Sequence, residues 1–295
     1  MGNNIQLDQN RPELIRLLKA QRVAYTEAKK VQNFEWWVQI TSLVSPLVGI
    51  LLLPKIYEQS AIVLTTIFTV LNIVTFILAK KRTSEGATIQ EQFDIELFGL
   101  PWNSYLTKEK IDVDVIIKLS KKYTKDDLKD WYSKEIHQNI RRKIAVLLCQ
   151  KINLVWDNDL RAKFINTIFW FTIIYVLLFI SYLIYIDKSF QSSLLLFVPI
   201  IPFIAYISIN ISNQKDILTK KLELKAKIKE LFENFKTTSQ EPTDDDLRSI
   251  QNLIFQERNK PEKIHNWFYR LYKKDMEEDL DELIRSLIQE YHLAK

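Results

Sequence analysis

The chain contains 295 residues, 47% of them hydrophobic, and carries a formal net charge of +5. Only four glycines are present, which argues against a glycine-rich phosphate loop or a dinucleotide-binding fold. A single cysteine, Cys149, excludes an internal disulfide, and the three scattered histidines form no metal signature. We therefore expect no metal site, no cofactor, no catalytic constellation, and no DNA or RNA polymer as a partner.

Four stretches of the chain contain no charged residue: Trp36–Leu53, Ala61–Ala79, Phe164–Ile186 and Phe190–Ile211. Each approaches or exceeds the roughly 20 apolar residues that a membrane-spanning helix requires. The first stretch is the most polar, and a buried helix of a soluble domain is the alternative for it. The chain is predicted to be an all-α integral membrane protein, with four transmembrane helices in two hairpins and helical cytoplasmic segments.

Lysines and arginines near the ends of these stretches predict their orientation. They cluster before the first and third spans and after the second and fourth, whereas the two short connections carry little net charge. Because basic residues collect on the cytoplasmic side, both termini and the segment from Lys80 to Lys163 are predicted to be cytoplasmic. Only two tight turns reach the outside, so the protein's information should come from the cytosol.

The same pattern divides the chain into five segments. They are an N-terminal cytoplasmic helix (1–35), the first two spans (36–79), a cytoplasmic helical middle domain (80–163), the last two spans (164–211) and a C-terminal cytoplasmic helical region (212–295). Pro12 suits the first position of a helix, and the apolar pattern continues from there into the first span.

The middle segment is predicted to be mostly helical. Thr107 is expected to cap one helix and Thr124 a second. A long helix is expected from Lys134 towards the third span, with Asp157 and Arg161 spaced for an i,i+4 ion pair.

The run FDIELFGLPWN, Phe93–Asn103, is too short and too charged to cross a membrane. Gly99 and Pro101 predict a turn here, not a helix. Its aromatic residues are expected to pack the middle segment near the membrane face. Two roles stay open: a structural anchor, or a joint through which a cytosolic ligand moves the second span.

After the fourth span, a helix is predicted to continue into the cytosol as far as Phe235. The run EPTDDD ends it, and Thr243 begins another. Two further amphipathic helices are predicted, one opened by Pro261 and one between Met276 and Tyr291.

The second span carries a polar stripe, Thr65, Thr69, Asn72 and Thr75. In lipid, such residues commonly join helices to one another; lining of a pore or groove after assembly is the alternative. Pro199 and Pro202 predict a kink in the fourth span and are candidates for a gate hinge.

A basic cluster, Arg141, Arg142 and Lys143, is predicted on the membrane-proximal side of the middle segment. Such clusters attract anionic lipid headgroups, and the alternatives are a solvated helix face or a bound phosphate ligand. Cys149 lies in an apolar helical stretch and is interpreted as an inert core residue.

Several short motifs follow one another along nearly the whole chain: AQRVAYTEAKK (Ala20–Lys30), IQEQFD and LFGLPWN (Ile89–Asn103), DWYS (Asp130–Ser133), CQKINLVWDNDLR (Cys149–Arg161), and IQNLIFQERN with PEKIHNWFYR (Ile250–Arg270). Together with the two pairs of spans, this ordered set resembles the SMODS-associating four-transmembrane effectors of the bacterial cyclic-oligonucleotide antiphage systems (CBASS). The family form of the CQK motif is nearer CQR, so Lys151 stands where an arginine is usual.

The resemblance implies that a neighbouring nucleotidyltransferase makes a cyclic nucleotide when phage infects the cell. The effector then acts at the inner membrane and compromises it, so that the infected cell dies before the phage spreads. We expect a multi-pass, self-associating effector without enzymatic activity. The alternatives are a constitutive small-solute or ion channel or transporter, and a membrane-anchored enzyme.

A cyclic di- or oligonucleotide is the expected ligand, sensed directly or through another protein. A multiply charged anion requires arginine or lysine, with aromatic faces for base stacking. The residues that fit by chemistry and position are Trp102, Asn103, Trp131, Tyr132, Arg141, Arg142, Asn153 and Arg161. The membrane is breached either by a pore or by disruption of the bilayer.

Overall fold

The computed structural model describes residues 3–52, 54–107, 109–155, 158–187, 189–261 and 282–291, together with Ile264, Phe268 and Leu271. The elements are α1 (Ile5–Asp8), α2 (Pro12–Leu52), α3 (Pro54–Phe98), α4 (Ser104–Thr107), α5 (Val113–Ser120), α6 (Arg142–Val155), α7 (Asn158–Tyr185), α8 (Phe190–Phe197), a 3-10 turn (Val198–Ile200), α9 (Ile201–Thr238) and α10 (Asp244–Arg258). Residues 282–290 are also helical.

Four helical stretches are long and apolar enough to cross a membrane. They lie in α2, in α3, in α7, and in α8 with α9, and they form two antiparallel pairs, α2 with α3 and α7 with α9. The ranges given above contain no β-strand. The prediction of an all-α protein with four spans is therefore confirmed.

Two hydrophobic cores divide the molecule. The extramembrane core gathers the start of α2, the end of α3, α5, α6, the end of α9, α10 and residues 284–291. The membrane core gathers the apolar parts of α2, α3, α7, α8 and α9. Three helices, α2, α3 and α9, contribute to both cores, so the two cores are joined by continuous backbone.

The boundaries of the five predicted segments all fall inside helices. Those after residues 35, 79, 163 and 211 lie within α2, α3, α7 and α9, respectively. The helices pass through each boundary without a break, and the five-segment division stays a prediction.

Prolines interrupt the fourth span where the sequence predicts a kink. Between α8 and α9 the chain forms the 3-10 turn, which contains Pro199, and Pro202 stands in the first turn of α9. Proline has no amide hydrogen to donate within a helix. The Ser42 hydroxyl of α2 donates to the Pro199 carbonyl, which ties this break to the first span.

The predicted start of a long helix at Lys134 is wrong, because α6 begins at Arg142. The Asn3 side-chain amide donates to the carbonyl oxygens of His137, at 2.8 Å, and of Ile140, at 2.9 Å. These carbonyls are held by the N-terminus of the chain, so the backbone before α6 follows an irregular path.

The helix predicted to begin at Thr124 is also wrong, since the chain from there to Tyr132 is irregular. The Gln9 side-chain oxygen accepts from the Tyr132 amide at 2.8 Å, and the Asn10 oxygen accepts from the Asp130 amide at 2.9 Å. Asp130 has a φ of 55°, outside the right-handed helical region. Residues distant in sequence again take the backbone groups that a helix would pair.

Thr107 does not cap a helix; it lies in α4, and its hydroxyl donates to the Asn103 carbonyl. The next helix begins at Val113. The Gln92 side chain accepts from the Ile111 amide at 3.1 Å and donates to the Ile111 carbonyl at 3.2 Å. This paired contact holds Ile111 outside α5.

The run FDIELFGLPWN is only partly a turn, because Phe93–Phe98 completes α3. Gly99 then adopts a left-handed φ of 72°, and the amides of Gly99 and Leu100 both donate to the Ile95 carbonyl, at 2.9 and 3.0 Å. This is the usual way in which glycine ends a helix. Phe93 and Phe98 are buried and pack against the Tyr132 ring, with centroids 6.3 and 5.6 Å away, so the run does pack the middle segment.

The predicted start of a helix at Thr243 is confirmed, and the structure shows a capping box there. The Thr243 hydroxyl accepts from the Asp246 amide, and the Asp246 carboxylate accepts from the Thr243 amide. Several predictions lie outside the described residues: the partner of the Arg161 ion pair at Asp157, most of the helix opened by Pro261, and the last helix before residue 282.

Candidate functional site

A buried polar network crosses the extramembrane core. Its members come from the end of α3, from the irregular middle segment and from α10: Glu91, Asp94, Tyr132, Arg248, Gln251 and Arg258. We call it the Asp94 network. Glu91 and Asp94 are one helical turn apart, so both carboxylates leave α3 on one face, and both residues are fully buried.

Asp94 is the centre of the network. Its Oδ1 accepts from the Tyr132 hydroxyl at 2.7 Å, and its Oδ2 accepts from the Gln251 amide at 3.1 Å. The same Oδ2 forms an ion pair with Arg258. Burial lowers the pKa of Arg258, but the charges of Asp94 and the neighbouring Tyr132 raise it by more. The net effect is a raised pKa, so the guanidinium stays charged.

Glu91 fastens the other end of α10. Its Oε1 accepts from Arg248 at 2.6 Å and its Oε2 from Gln251 at 2.7 Å. Arg248 also donates to the Pro101 carbonyl at 3.0 Å, which holds the chain just after α3. Burial raises the pKa of Glu91 and outweighs the opposing effects of Gln251 and Arg248.

Each carboxylate oxygen of the two acids accepts at least one hydrogen bond. Buried carboxylates that are hydrogen-bonded in this way favour one arrangement of the segments that carry them. The network therefore joins α10 to the part of α3 that extends beyond the second span.

Two of the predicted ligand residues belong to this region. Tyr132 is a member of the network, and the Asn153 side-chain amide donates to its hydroxyl at 3.0 Å. The neighbouring Trp131 is half-buried; its ring forms an edge-to-face contact with Phe93, and the Arg22 guanidinium lies 5.6 Å from its centroid.

Trp102 and Asn103 lie on the α10 side of the same core. The Asn103 side-chain amide donates to Asn252 of α10 at 3.2 Å. The Lys110 ammonium stands 5.5 Å from the centre of the Trp102 ring. Both predicted residues are half-buried.

The three predicted arginines lie in separate places. Arg141 pairs with Glu241 at 3.0 Å, and Arg142 donates to the Leu97 carbonyl at 3.1 Å, at the end of α3. Arg161 is buried between α7 and α9, where it donates to Gln214. The structure thus spreads the eight predicted residues around the extramembrane core and its junction with the membrane, and their role as ligand contacts stays a prediction.

A second candidate site is a groove of about 470 Å³ between the first, second and fourth spans. Thr65, Thr69 and Asn72 line it on α3, three members of the predicted polar stripe. Gln32 and Glu35 of α2 stand at one end, where the apolar part of the first span begins. The rest of the wall is mostly apolar and comes from α3 and α9.

The stripe residues differ in their partners. The hydroxyls of Thr65 and Thr69 donate to carbonyls of their own helix, four residues back, at 2.8 Å. Asn72 instead accepts from Gln39 across the α2–α3 pair. Thr75 is buried and outside the groove, and its hydroxyl also bonds within α3. The stripe thus combines groove lining with one interhelical bond, and its function stays a prediction.

Sequence reasoning missed four members of the Asp94 network: Glu91, Arg248, Gln251 and Arg258. A signal exists in IQEQFD, where two acids stand three apart beside the apolar Ile89 and Phe93. Their partners lie more than 150 residues away, and no local spacing shows that the two segments meet.

Comparisons with known proteins agree with this architecture. The sequence profile of the SMODS-associating 4TM effector domain matches residues 3–287. The chain belongs to this family. Its sequence is also 25% identical, over 293 residues, to a probable CBASS effector molecule of Bacillus cereus (strain VD146), covering 92% of this chain and 94% of that protein. No solved structure matches the chain significantly. The family that the ordered motifs predict is confirmed.

Proposed function

We propose that this SMODS-associating 4TM effector responds to a cyclic nucleotide in the cytosol of an infected bacterium and then permeabilises or disrupts the inner membrane. The observation that carries the proposal is the continuity of α3, which runs from the membrane groove at Thr65 to the Asp94 network. One helix therefore belongs both to a folded region able to receive a soluble ligand and to the membrane region able to breach the bilayer.

The proposed orientation places both termini and the extramembrane core in the cytoplasm. The basic residues beside the four spans support it. Surface labelling of single cysteines would test it: in a Cys149→Ser background, Ser60→Cys should react with an impermeant maleimide on intact spheroplasts, and Ser239→Cys only after lysis. The reverse pattern would contradict the orientation.

We also propose that the active form contains several copies of the chain. Only 17% of the residues in the most apolar parts of α3 and α7 are buried within one copy. These faces are available to lipid and to other copies alike. Crosslinking in proteoliposomes, before and after nucleotide is added, should show larger assemblies after addition.

A ligand shifts a conformational equilibrium only if it binds one state more tightly than the other. In our proposal the nucleotide comes from a neighbouring nucleotidyltransferase and binds the extramembrane core in the breaching state. The eight residues predicted from sequence remain candidates for its contacts. Tyr132 is fully buried, so a ligand reaches it only if the Asp94 network opens.

Dye release from liposomes containing the purified protein tests the proposal. Cyclic di-GMP, cyclic di-AMP and cyclic tri-AMP would be added in turn to vesicles loaded with a self-quenched dye. Release that depends on one of them supports the effector. Release without nucleotide would indicate the constitutive channel instead, and nucleotide turnover without release would indicate a membrane-anchored enzyme.

A further inference from the structure

Three lysines lie close enough for their charges to interact where α6 packs against α9. Lys151 is on α6 and is only 6% exposed, whereas Lys225 and Lys229 are exposed on α9. The two α9 lysines are four residues apart, so they lie on one face of the helix. We call these three residues the lysine cluster.

No carboxylate neutralises this cluster within the described part of the chain. None of its three ammonium groups has a carboxylate oxygen within 4.0 Å there. Other lysines nearby are paired: Lys143 with Asp244 at 2.9 Å, and Lys227 with Asp246 at 3.9 Å.

The environment of Lys151 is unfavourable for a cation. Burial, together with the charges of Lys225 and Lys229, lowers its pKa to about 8. Lysine without a partner is rarely buried in proteins. A buried cation facing two more cations is expected where an anion occupies the site in another state.

The position of the cluster favours a soluble anion over a lipid headgroup. Lys225 follows Ile211, the last residue of the uncharged fourth stretch, by 14 residues, or about 21 Å along a helix at 1.5 Å per residue. The headgroup layer on each side of the hydrocarbon core is only about 5–8 Å thick. Lys229 is one further turn away.

We propose that Lys151, Lys225 and Lys229 bind the phosphate groups of the cytosolic nucleotide signal. This proposal rests on the proposed function. Ammonium groups bind phosphate as point charges, and three of them suit a ligand that carries at least two phosphodiester charges. Bound there, the ligand would draw α6 and α9 together, and α9 continues directly into the fourth span.

The test measures binding separately from membrane damage. Full-length protein in phosphatidylcholine nanodiscs would be titrated with cyclic di-GMP, cyclic di-AMP, cyclic tri-AMP and pyrophosphate, the last being a probe without a base. The variant is Lys225→Gln/Lys229→Gln, whose changes are on the surface. The matched control is Lys220→Gln/Lys227→Gln, which removes the same charge from paired lysines of the same helix.

The wild type should bind at least one of these probes. The cluster variant should lose about tenfold or more in affinity, the expected factor for removing a charge-assisted hydrogen bond, and the control less than about twofold. Lys151→Met should also weaken binding while the protein stays folded. Wild-type affinity in the cluster variant, equal losses in variant and control, or no binding of any probe to the wild type would each overturn the proposal.

Two further arms separate the remaining explanations. Sedimentation with phosphatidylglycerol vesicles tests whether the cluster binds lipid headgroups. If the cluster variant loses vesicle binding but keeps its affinity for the probes, the nucleotide assignment is overturned. In the dye-release assay, nucleotide-dependent release that persists in the cluster variant would contradict the proposed binding site but support the proposed function. Binding at the cluster without any release would contradict the proposed function but support the binding site.

Discussion

The extramembrane and membrane parts of this protein are stabilised in different ways. Outside the membrane, apolar side chains and the acids Asp94 and Glu91 are buried together, and both acids accept hydrogen bonds from other buried side chains. In the spans, large apolar residues face outwards: Ile62 and Ile77 of α3 are 61% and 59% exposed. The extramembrane core is stabilised by contacts within one copy of the chain. The outward faces of the spans depend instead on lipid or on other copies.

This difference predicts how strongly substitutions in each part change the stability of the protein. Lipid offers no hydrophobic drive for spans to associate, so their arrangement can change at little cost. In the extramembrane core, by contrast, hydrogen bonds hold the segments in one arrangement, so a change of arrangement there breaks those bonds. Substitutions in the two parts should therefore differ in size, and the following variants test that expectation.

Asp94→Asn should have the largest effect. It removes the charge that Arg258 and Tyr132 depend on inside the core, and breaking one side of a buried ion pair typically costs about 3–5 kcal/mol. Thermal unfolding followed by circular dichroism in detergent measures it. Asp114→Asn, an exposed acid on α5, is the control and should change stability by less than about 0.5 kcal/mol. Equal stability of the two variants would refute the central role of Asp94.

Lys151→Met should act in the opposite direction and stabilise the protein. Lowering a lysine pKa from 10.5 to about 8 corresponds to about 3 kcal/mol against folding at neutral pH. Because the folded pKa is the lower one, this penalty is present below pH 8 and disappears as pH rises towards 10.5. The wild type should thus gain stability relative to the variant over that interval.

The comparison needs unfolding of both proteins at neutral pH and near pH 10. Lys118→Met, at an exposed position on α5, provides the control and should show no such pH dependence. A variant less stable than the wild type at pH 7 would mean that Lys151 has a stabilising partner.

Gly49→Ala tests whether the spans contain a tightly packed point. A Cβ at this position of α2 would clash with the ring of Tyr57 on α3. Overpacking of this kind costs about 1–3 kcal/mol. The double variant Gly49→Ala/Tyr57→Ala should recover part of the loss. Full stability of the single variant would show that the Tyr57 ring moves aside freely.

Asn72→Leu should have the smallest effect. It removes the bond between Gln39 and Asn72, and hydrogen bonds between spans contribute about 0.6 kcal/mol on average. Thr66→Val, on the exposed face of the same helix, is the control. A loss above about 2 kcal/mol would mean that hydrogen bonds stabilise the membrane core as strongly as the extramembrane core, contrary to the difference argued above.

The parts of the fold that depend on local sequence were predictable. The uncharged stretches, Pro12 at the start of α2 and the Thr243 capping box all follow from neighbouring residues. The middle segment was not predictable, because Asn3, Gln9 and Asn10 occupy backbone groups some 120 residues or more away. These long-range contacts prevent the helix that the capping signal at Thr124 predicts.

The candidate sites show the same division. The stripe at Thr65, Thr69 and Asn72 was visible in the sequence as polar residues within an apolar stretch, and these residues line the groove. The lysine cluster was not visible, because Lys151 is separated from Lys225 by more than 70 residues. Only the packing of α6 against α9 brings these charges together.

Because α3 is long, a small tilt at one end moves its other end a large distance. Its 45 residues span about 68 Å at 1.5 Å per residue. If the helix pivots as a rigid rod near Phe98, a tilt of about 5° moves its far end by about 6 Å, more than half of the usual 8–10 Å between packed helix axes. A displacement too small to disturb the folded core at the pivot would thus separate neighbouring helices at the opposite face of the bilayer. Under the proposed function, a small displacement caused by ligand binding at one end of α3 would become a larger displacement at the other end.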